Sequence, residues 1–268
     1  MRIPLPESLH LRMDLIANPV PTRAAATIAV VRDGTHGLEA FLMRRRSALS
    51  FAPGMYVFPG GSVHPSDSDE ITWVGPPPEQ WAQRFSCHAE LAKALVVSAV
   101  RETFEETGVL LAGPDEHSVL DDTTGLEAFR EALENEELSF ADFLNQQDLV
   151  LRADLIGAWA HWITPVFEPK RFDTRFFVAA IPTGQRIDSV NQEADKTMWA
   201  PLSTVLDEIT AGRVSMLPPT LVTCQELSVL TTETLLPAAQ NRTITPIEPK
   251  IEEEDGQLWL VSDRGEHL

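Results

Sequence analysis

Cysteine is nearly missing from this chain, with Cys87 and Cys224 its only two. Two thiols cannot build a disulfide framework, so a packed core must carry the fold, and each is expected as a buried, reduced side chain. Long apolar runs are missing too. No stretch reaches the roughly 18 consecutive apolar residues that suggest a membrane span. The opening segment, MRIPLPESLHLRMDLIANPVP, is broken by Glu7 and Asp14 and is too short of apolar length for a secretory signal. These absences make a cytoplasmic location, with no membrane partner, the default expectation. Basic residues are scarce: 21 Lys and Arg against 40 Asp and Glu leave a net charge of −19. Such a field repels nucleic-acid backbones and argues against a DNA- or RNA-binding module. It is compatible with a small phosphorylated substrate, because a metal ion inverts the local field. The seven histidines show no metal-ligand spacing, and no repeat of solenoid period is visible.

What is present is enough apolar material, 43% of 268 residues, for one sizeable core or two small ones. AAATIAVVRDG (24–34) is a buried-strand run closed by the turn pair Asp33-Gly34, and LEAFLMRRR follows it, so 25–45 reads as a hairpin. MYVF (55–58) is a short strand entering a Pro-Gly-Gly loop. Residues 62–86, with Asp67, Asp69, Glu70 and three consecutive prolines, read as loop with at most one helical turn. A helix is then expected from the cap Ser86 to the stop Gly108, with Leu91, Leu95, Ala99 and Phe104 along one face, and VLLA after it as a strand. Two short amphipathic helices fall in 124–147. Strands follow at 153–165 and 173–182, EADKTMWAPLS (193–203) continues into a strand ending at Pro201, helices come at 203–212 and 218–235, and the tail holds two edge-strand candidates. Strands mixed with helices predict a mixed sheet covered on both sides, an α/β (α+β) sandwich.

The chemistry concentrates in Arg101-Glu102-Thr103-Phe104-Glu105-Glu106-Thr107-Gly108-Val109. On a helix, Glu102, Glu105 and Glu106 stand at i, i+3 and i+4, so their carboxylates share one face. Three like charges held together call for a cation, and an all-oxygen set suits Mg²⁺ or Mn²⁺. Acidic helix faces are also commonly just solvated. Here the opposite face is apolar and a glycine-rich loop precedes the helix, which favours a packed, functional position.

R-E-T-F-E-E-T-G-V resembles the second half of the Nudix box, G-x5-E-x7-R-E-U-x-E-E-x-G-U with U apolar, and Phe58-Pro59-Gly60-Gly61 resembles the strand-to-loop signature that opens it. Thr103 departs from the apolar position. Counting back at the usual spacing puts Lys93 on the first Glu and Cys87 on the Gly, so the resemblance implies an insertion of about twenty-five residues inside the box. AVRETFEETGVLLA, VFPGG and RFDTRFFVAAIP are similar to a Nudix subgroup with such an insertion, which includes peroxisomal coenzyme A diphosphatases, and the likeness spans roughly 22–235. It implies an α/β/α Nudix sandwich. Segment 1–21 is then an N-terminal arm, 22–239 the domain with insertions at 62–86 and 120–148, and 240–268 a tail packed on it.

Carried over residue by residue, the resemblance makes Glu102, Glu105, Glu106 and the Gly60 carbonyl the ligands of Mg²⁺ or Mn²⁺. Arg101 orients the carboxylates, and Glu90 is a weak replacement for the first Glu. A further carboxylate, as ligand or general base, is expected from Asn191-Gln192-Glu193-Ala194-Asp195, with Glu193 preferred and Asp195 second. Arg44 and Arg46, in the one basic cluster, are candidates to hold a substrate phosphate or simply to balance acidic surface. Lys170, Arg171 and Arg175 are read chiefly as partners of Asp173, and Trp159, Trp162 and Trp199 as core. Gly54 and Phe58–Gly61 match the end of the coenzyme A motif, whereas Ser50 stands where an Arg is usual. The expected function is metal-dependent hydrolysis of a diphosphate bond in a small nucleotide-type substrate, coenzyme A or acyl-coenzyme A first. An ADP-ribose or NADH pyrophosphatase, and a Nudix-fold module that binds without turnover, are the alternatives. A homodimer is the family-level expectation.

Overall fold

The computed structural model describes residues 2–4, 13–48, 52–187 and 194–262. Two helical layers enclose a central mixed sheet, which makes the molecule an α/β/α sandwich.

The first strands are β1 (Arg2–Pro4), β2 (Arg23–Gly34), β3 (Gly37–Arg45), β4 (Tyr56–Val57), β5 (Gly60–Ser62), β6 (Trp73–Val74) and β7 (Ala112–Gly113). Then come β8 (Val150–Arg152), β9 (Ile156–Ile163), β10 (Phe172–Ala180), β11 (Ala194–Pro201), β12 (Pro246–Ile247), β13 (Lys250–Glu254) and β14 (Gln257–Val261). The helices are α1 (Met13–Ala17), α2 (Pro78–Phe85), α3 (Ala89–Thr107), α4 (Glu127–Glu134), α5 (Phe140–Gln146), α6 (Leu202–Thr210), α7 (Pro218–Leu227) and α8 (Thr232–Gln240).

The central sheet runs β11-β3-β2-β10-β9-β12, with β4 added to β3 and β5 to β2. β2 lies parallel to β10 and antiparallel to β3 and β5. Residues 25–31 of β2 are buried without a break because both sheet faces are covered. Ala26, Ile28 and Val30 enter one core with Leu95, Val96, Ala99 and Val100 of α3. Ala29 and Val31 enter the other with Val205, Val222 and Leu235 of α6, α7 and α8. Alternation along one strand therefore feeds two cores. The sequence-predicted hairpin is present, β9 lies within the strand expected at 153–165 and β10 overlaps that at 173–182, the strand expected to end at Pro201 is β11, and the tail supplies β12, β13 and β14.

Several expectations are corrected. Residues 62–86 are largely ordered structure, with a 3₁₀ turn at Pro65–Ser68, then β6 and α2. Pro78 opens α2, where a missing N–H costs nothing, and Trp81 and Phe85 pin the helix to Phe177 with ring centroids 5.7 and 5.3 Å away. Ser86 closes α2 in a left-handed conformation, and His88 stands at the N-cap of α3. Of VLLA only Ala112 is strand, although Val109, Leu110 and Leu111 are fully buried. Residues 218–235 hold two helices, because Thr231 starts a new capping box at α8. Helix α6 begins at Leu202 behind Pro201, one residue before the expected cap Ser203. Trp159 and Trp162 are core, and half-buried Trp199 lies under the Arg32 guanidinium, 4.3 Å from its centroid.

Candidate active site

Helix α3 crosses the sheet over β2 and β5 and ends at Gly108, whose φ of 74° and N–H to the Phe104 carbonyl form a C-terminal stop. Its apolar stripe is buried, so the last two turns are held rigidly and their polar face is turned toward β5. Thr103, the departure from the apolar position, is fully buried; its hydroxyl is satisfied by the Ala99 carbonyl at 2.8 Å. The methyl can therefore pack as an apolar residue would.

Against this face lies the glycine loop. The Pro59 carbonyl accepts hydrogen bonds from the Ile28 N–H and the Thr27 hydroxyl, which fixes the chain at the entry to β5. A Cβ on Gly60 would run into the Ala26 carbonyl and Thr27, and one on Gly61 would run into the Glu102 carboxylate. Both glycines are thus set by close approach. The Gly60 N–H donates to Glu106 Oε2 at 2.7 Å.

Arg101 is the hub. Its Nε and Nη2 grip both oxygens of Asp67 at 2.8 and 3.1 Å, and its Nη1 donates to Glu102 at 3.0 Å and to Glu105 at 3.1 Å. The Ser62 carbonyl and Ser98 hydroxyl take further contacts from Nη2. Asp67 is fully buried, and Arg101, Glu105 and Glu106 nearly so. Burial opposes the guanidinium charge, yet the hydrogen bond donated to Asp67 and the charges of Glu102, Asp67 and Glu105 outweigh it, so Arg101 is held firmly cationic.

Asp67 was missed as a site residue, and it corrects the search for the first Glu. Counting back from Arg101 led to Lys93, which instead donates to the Ser68 and Asp69 carbonyls at 3.1 and 2.6 Å. Glu90 is exposed at the opposite end of α3. Counting forward from Gly61 through five residues lands on Asp67, a shorter carboxylate in the Glu position. The insertion therefore lies between Asp67 and Arg101, and the sequence signal was the forward spacing.

A cleft of about 630 Å³ opens beside this hub. One wall is Ser62, Val63, His64 and Ser66 with the α3 carboxylates, and the other is 133–139, the end of α4 and the turn into α5. The segment joining α4 to α5 thus supplies a wall of the cleft. Arg130 of α4 ties that wall to α3 by donating to the Glu105 carbonyl at 2.9 Å. Glu134, Glu136 and Glu137 face in from it. Burial pushes the Glu134 carboxyl up against the opposing charge of Arg130.

The structure brings Arg101, Glu102, Glu105, Glu106 and Gly60 together. Among the described residues, no three His, Cys, Asp or Glu side chains converge as metal ligands do. Glu102 and Glu105 turn toward Arg101, and Glu106 toward Gly60. The donor set still fits a hard cation: three largely buried carboxylates surround one guanidinium, a fourth, Glu106, stands beside them on the glycine loop, and all the side-chain donors are oxygens. Burial, helped by the Glu105 and Asp67 charges and opposed by Arg101, pushes the Glu102 carboxyl up to about 7. Glu105 is raised too, chiefly by burial against the pull of Arg101. These shifts mark carboxylates whose burial, with smaller repulsion from neighbouring acids, Arg101 does not fully offset.

That imbalance has a measurable sign. In metal-free protein, Glu102 binds its proton more tightly folded, near 7, than at its ordinary value of 4.5. The stability it contributes is complete below about pH 4.5 and is lost as pH rises through about 7, a change on the order of 3 kcal/mol. Thermal unfolding in a chelator should show Tm falling across this window, Mg²⁺ or Mn²⁺ should restore it at about pH 8, and E102Q should flatten the profile. A flat profile in the unsubstituted protein would contradict the imbalance.

The remaining candidates lie elsewhere. Glu193 falls outside the described residues. Asp195, on β11, accepts from Arg44 Nε at 2.7 Å, which raises Arg44 and lowers Asp195. Arg46 reaches the Ala194 carbonyl at 3.4 Å. Neither Arg44 nor Arg46 lines the cleft. Arg171 bonds the Thr164 and Val20 carbonyls and Glu248, Arg175 pairs with Asp173, and Lys170 sits 5.4 Å from the Phe172 ring centroid. Buried Cys224 has its thiol pushed up to about 12, and Cys87 is half-buried. Among the described residues, no helix is long and apolar enough to cross a membrane.

A sandwich with a glycine loop facing a carboxylate-bearing helix end defines the Nudix class. The family model described as the NUDT19 Nudix domain matches residues 80–227, more than half of the chain, and the chain belongs to that family. It is 23% identical to the acyl-coenzyme A diphosphatase NUDT19 of Xenopus laevis over 70% of this chain and 59% of that protein. It is 28% identical to the putative nudix hydrolase 7 of Caenorhabditis elegans over 77% and 60% respectively. The chain thus spans about three-fifths of the length of these curated relatives. The crystal structure of a Nudix hydrolase from Alicyclobacillus acidocaldarius superposes with a TM-score of 0.69 at 27% identity, covering 85% of this chain and 99% of that one.

Proposed function

We propose that this protein hydrolyses a diphosphate bond in a nucleoside diphosphate linked to a second moiety, with Mg²⁺ or Mn²⁺ as cofactor. One observation carries the proposal: Arg101 is locked on buried Asp67 while holding Glu102 and Glu105, with Glu106 beside them on the glycine loop. An isolated ionic surface has no reason to bury this much charge, whereas a site that gathers a cation does. Glu102, Glu105 and Glu106, with the backbone at Gly60, would hold the ion. When bound, it supplies electrophilic polarisation of the phosphate oxygens and acidifies water. Arg101 keeps the carboxylates in place, and the acidic cleft disfavours entry of an anionic substrate that brings no cation.

Coenzyme A and its acyl esters are the first substrate class, supported by the name of the Xenopus laevis relative and by the match of Gly54 and Phe58–Gly61. The Ser50 departure from that motif lies outside the described residues. ADP-ribose and NADH share the same reacting bond. The test is a panel of coenzyme A, acetyl-coenzyme A, ADP-ribose, NADH and ADP incubated with Mg²⁺ or Mn²⁺, with products identified by mass spectrometry. Two phosphate-bearing fragments from at least one diester are expected. An intact panel would contradict the proposal and favour a binding module.

A further inference from the structure

We propose that His64 is a substrate-binding residue, presenting its Nε2–H to a phosphate oxygen of the diphosphate in the cleft. The inference rests on the hydrolase reading above and adds the group on the chain that meets the substrate's charge.

The lining of the cleft narrows the choice. Its basic side chains, among the described residues, are Arg101 and His64. Arg101 is engaged by Asp67, Glu102 and Glu105 and by the Ser62 and Ser98 oxygens, so it is poorly placed to turn outward. The His64 ring is 41% exposed on its side chain, which leaves it available to a ligand.

Local bonding then sets which nitrogen faces the cleft. His64 caps the 3₁₀ turn, and its Nδ1 accepts from the Ser66 N–H at 3.3 Å and lies 2.7 Å from the Ser66 hydroxyl. An Nδ1 that accepts carries no proton, so the neutral ring holds its proton on Nε2. That nitrogen points across the cleft toward Glu136 of the opposite wall, 3.8 Å away and beyond hydrogen-bond length. Glu136 therefore faces this nitrogen at ion-pair range without a hydrogen bond to it.

Position is fixed from behind. The His64 backbone N–H donates to Asp67 Oδ2 at 2.7 Å, on the carboxylate that grips Arg101. One buried aspartate thus registers both the carboxylate hub and the imidazole. A diphosphate lying against Glu102, Glu105 and Glu106 would meet the ring at the cleft wall, where a hydrogen bond to a charged oxygen is stronger than one to a neutral acceptor.

The experiment separates reach from capping. His64→Asn keeps an N-cap acceptor for Ser66 but is too short to present a donor in the cleft. His64→Gln keeps a donor near the Nε2 position. The probe is α,β-methylene-ADP, a non-hydrolysable nucleoside diphosphate, titrated calorimetrically in Mn²⁺, with KM and kcat measured on whichever panel compound is hydrolysed. His64→Asn should weaken probe binding and raise KM about tenfold, with kcat within about twofold, while His64→Gln stays within about threefold on both. Unchanged probe binding in His64→Asn, or equal losses in Asn and Gln, would overturn the inference and leave the hydrolase reading standing. No probe binding and no turnover by the unsubstituted protein would overturn both.

Discussion

Glu106→Gln should abolish most turnover without unfolding the protein. The glutamine is isosteric, and its carbonyl oxygen can still accept the Gly60 N–H that Glu106 accepts at 2.7 Å. What disappears is one negative charge from a set whose proposed role is to hold a cation against phosphate. The expected loss in kcat is at least about 10³-fold, or roughly 4 kcal/mol of transition-state stabilisation. Thermal stability in a chelator should hold or rise, because a like charge has left a crowded and mostly buried group. This split between activity and stability is the informative outcome. Turnover within about tenfold of the unsubstituted enzyme would show that Glu106 is not part of the catalytic machinery.

Asp67→Asn should cost both activity and stability. Asp67 is completely buried and uses one oxygen on Arg101 Nε and the other on Arg101 Nη2 and the His64 N–H. An asparagine has one acceptor oxygen, so in either orientation its NH₂ would meet a guanidinium N–H donor to donor, and in one of them the His64 N–H as well. Breaking one side of a buried ion pair typically costs about 3–5 kcal/mol. Arg101 would then be free to collapse onto Glu102 and Glu105, and the carboxylates would lose their register, with an expected fall in kcat/KM of about 10²–10³-fold. Unfolding followed by heat or urea, alongside steady-state rates, reads both effects. A variant as stable and active as the original would mean that the bidentate grip carries neither function. Asp67→Glu, which places the Nudix-pattern residue at this position, should retain more activity than Asp67→Asn.

How much of this was legible depended on how local the cause was. Helix α3 could be read because its apolar stripe, its three glutamates and its glycine stop all act within one element. The hairpin β2–β3 was equally plain, since alternation and the turn after Asp33 are local. Helix α2 was hidden because the Pro76-Pro77-Pro78 run reads as loop until Pro78 is recognised as an opening residue, with Trp81 and Phe85 as its anchors. The break between α7 and α8 was missed for a similar reason: Thr231 signals a cap only to a reader already expecting two helices.

The site followed the same rule. Glu102, Glu105 and Glu106 came from one helical face, but the partner of Arg101 lay 34 residues upstream. The insertion made a backward count fail where a forward count from Gly61 succeeds. The wall carrying Glu134, Glu136 and Glu137 lies well beyond α3 in the chain, and no spacing rule connects it to that helix; packing through Arg130 does. Arg44 and Arg46 were attractive because basic residues are rare here, yet rarity says nothing about direction. The strand alternation that places Met43 in the α3-side core puts Arg45, not Arg44 or Arg46, on that face.

The most direct measurement is a crystal grown in Mn²⁺ at neutral pH, with diffraction recorded at the manganese absorption edge. An anomalous peak in contact with carboxylates among Glu102, Glu105 and Glu106, beside the Gly60 backbone, and missing in Glu106→Gln, is what the account requires. Well-ordered density for those three side chains with no manganese among them, at Mn²⁺ concentrations that support turnover, would contradict it.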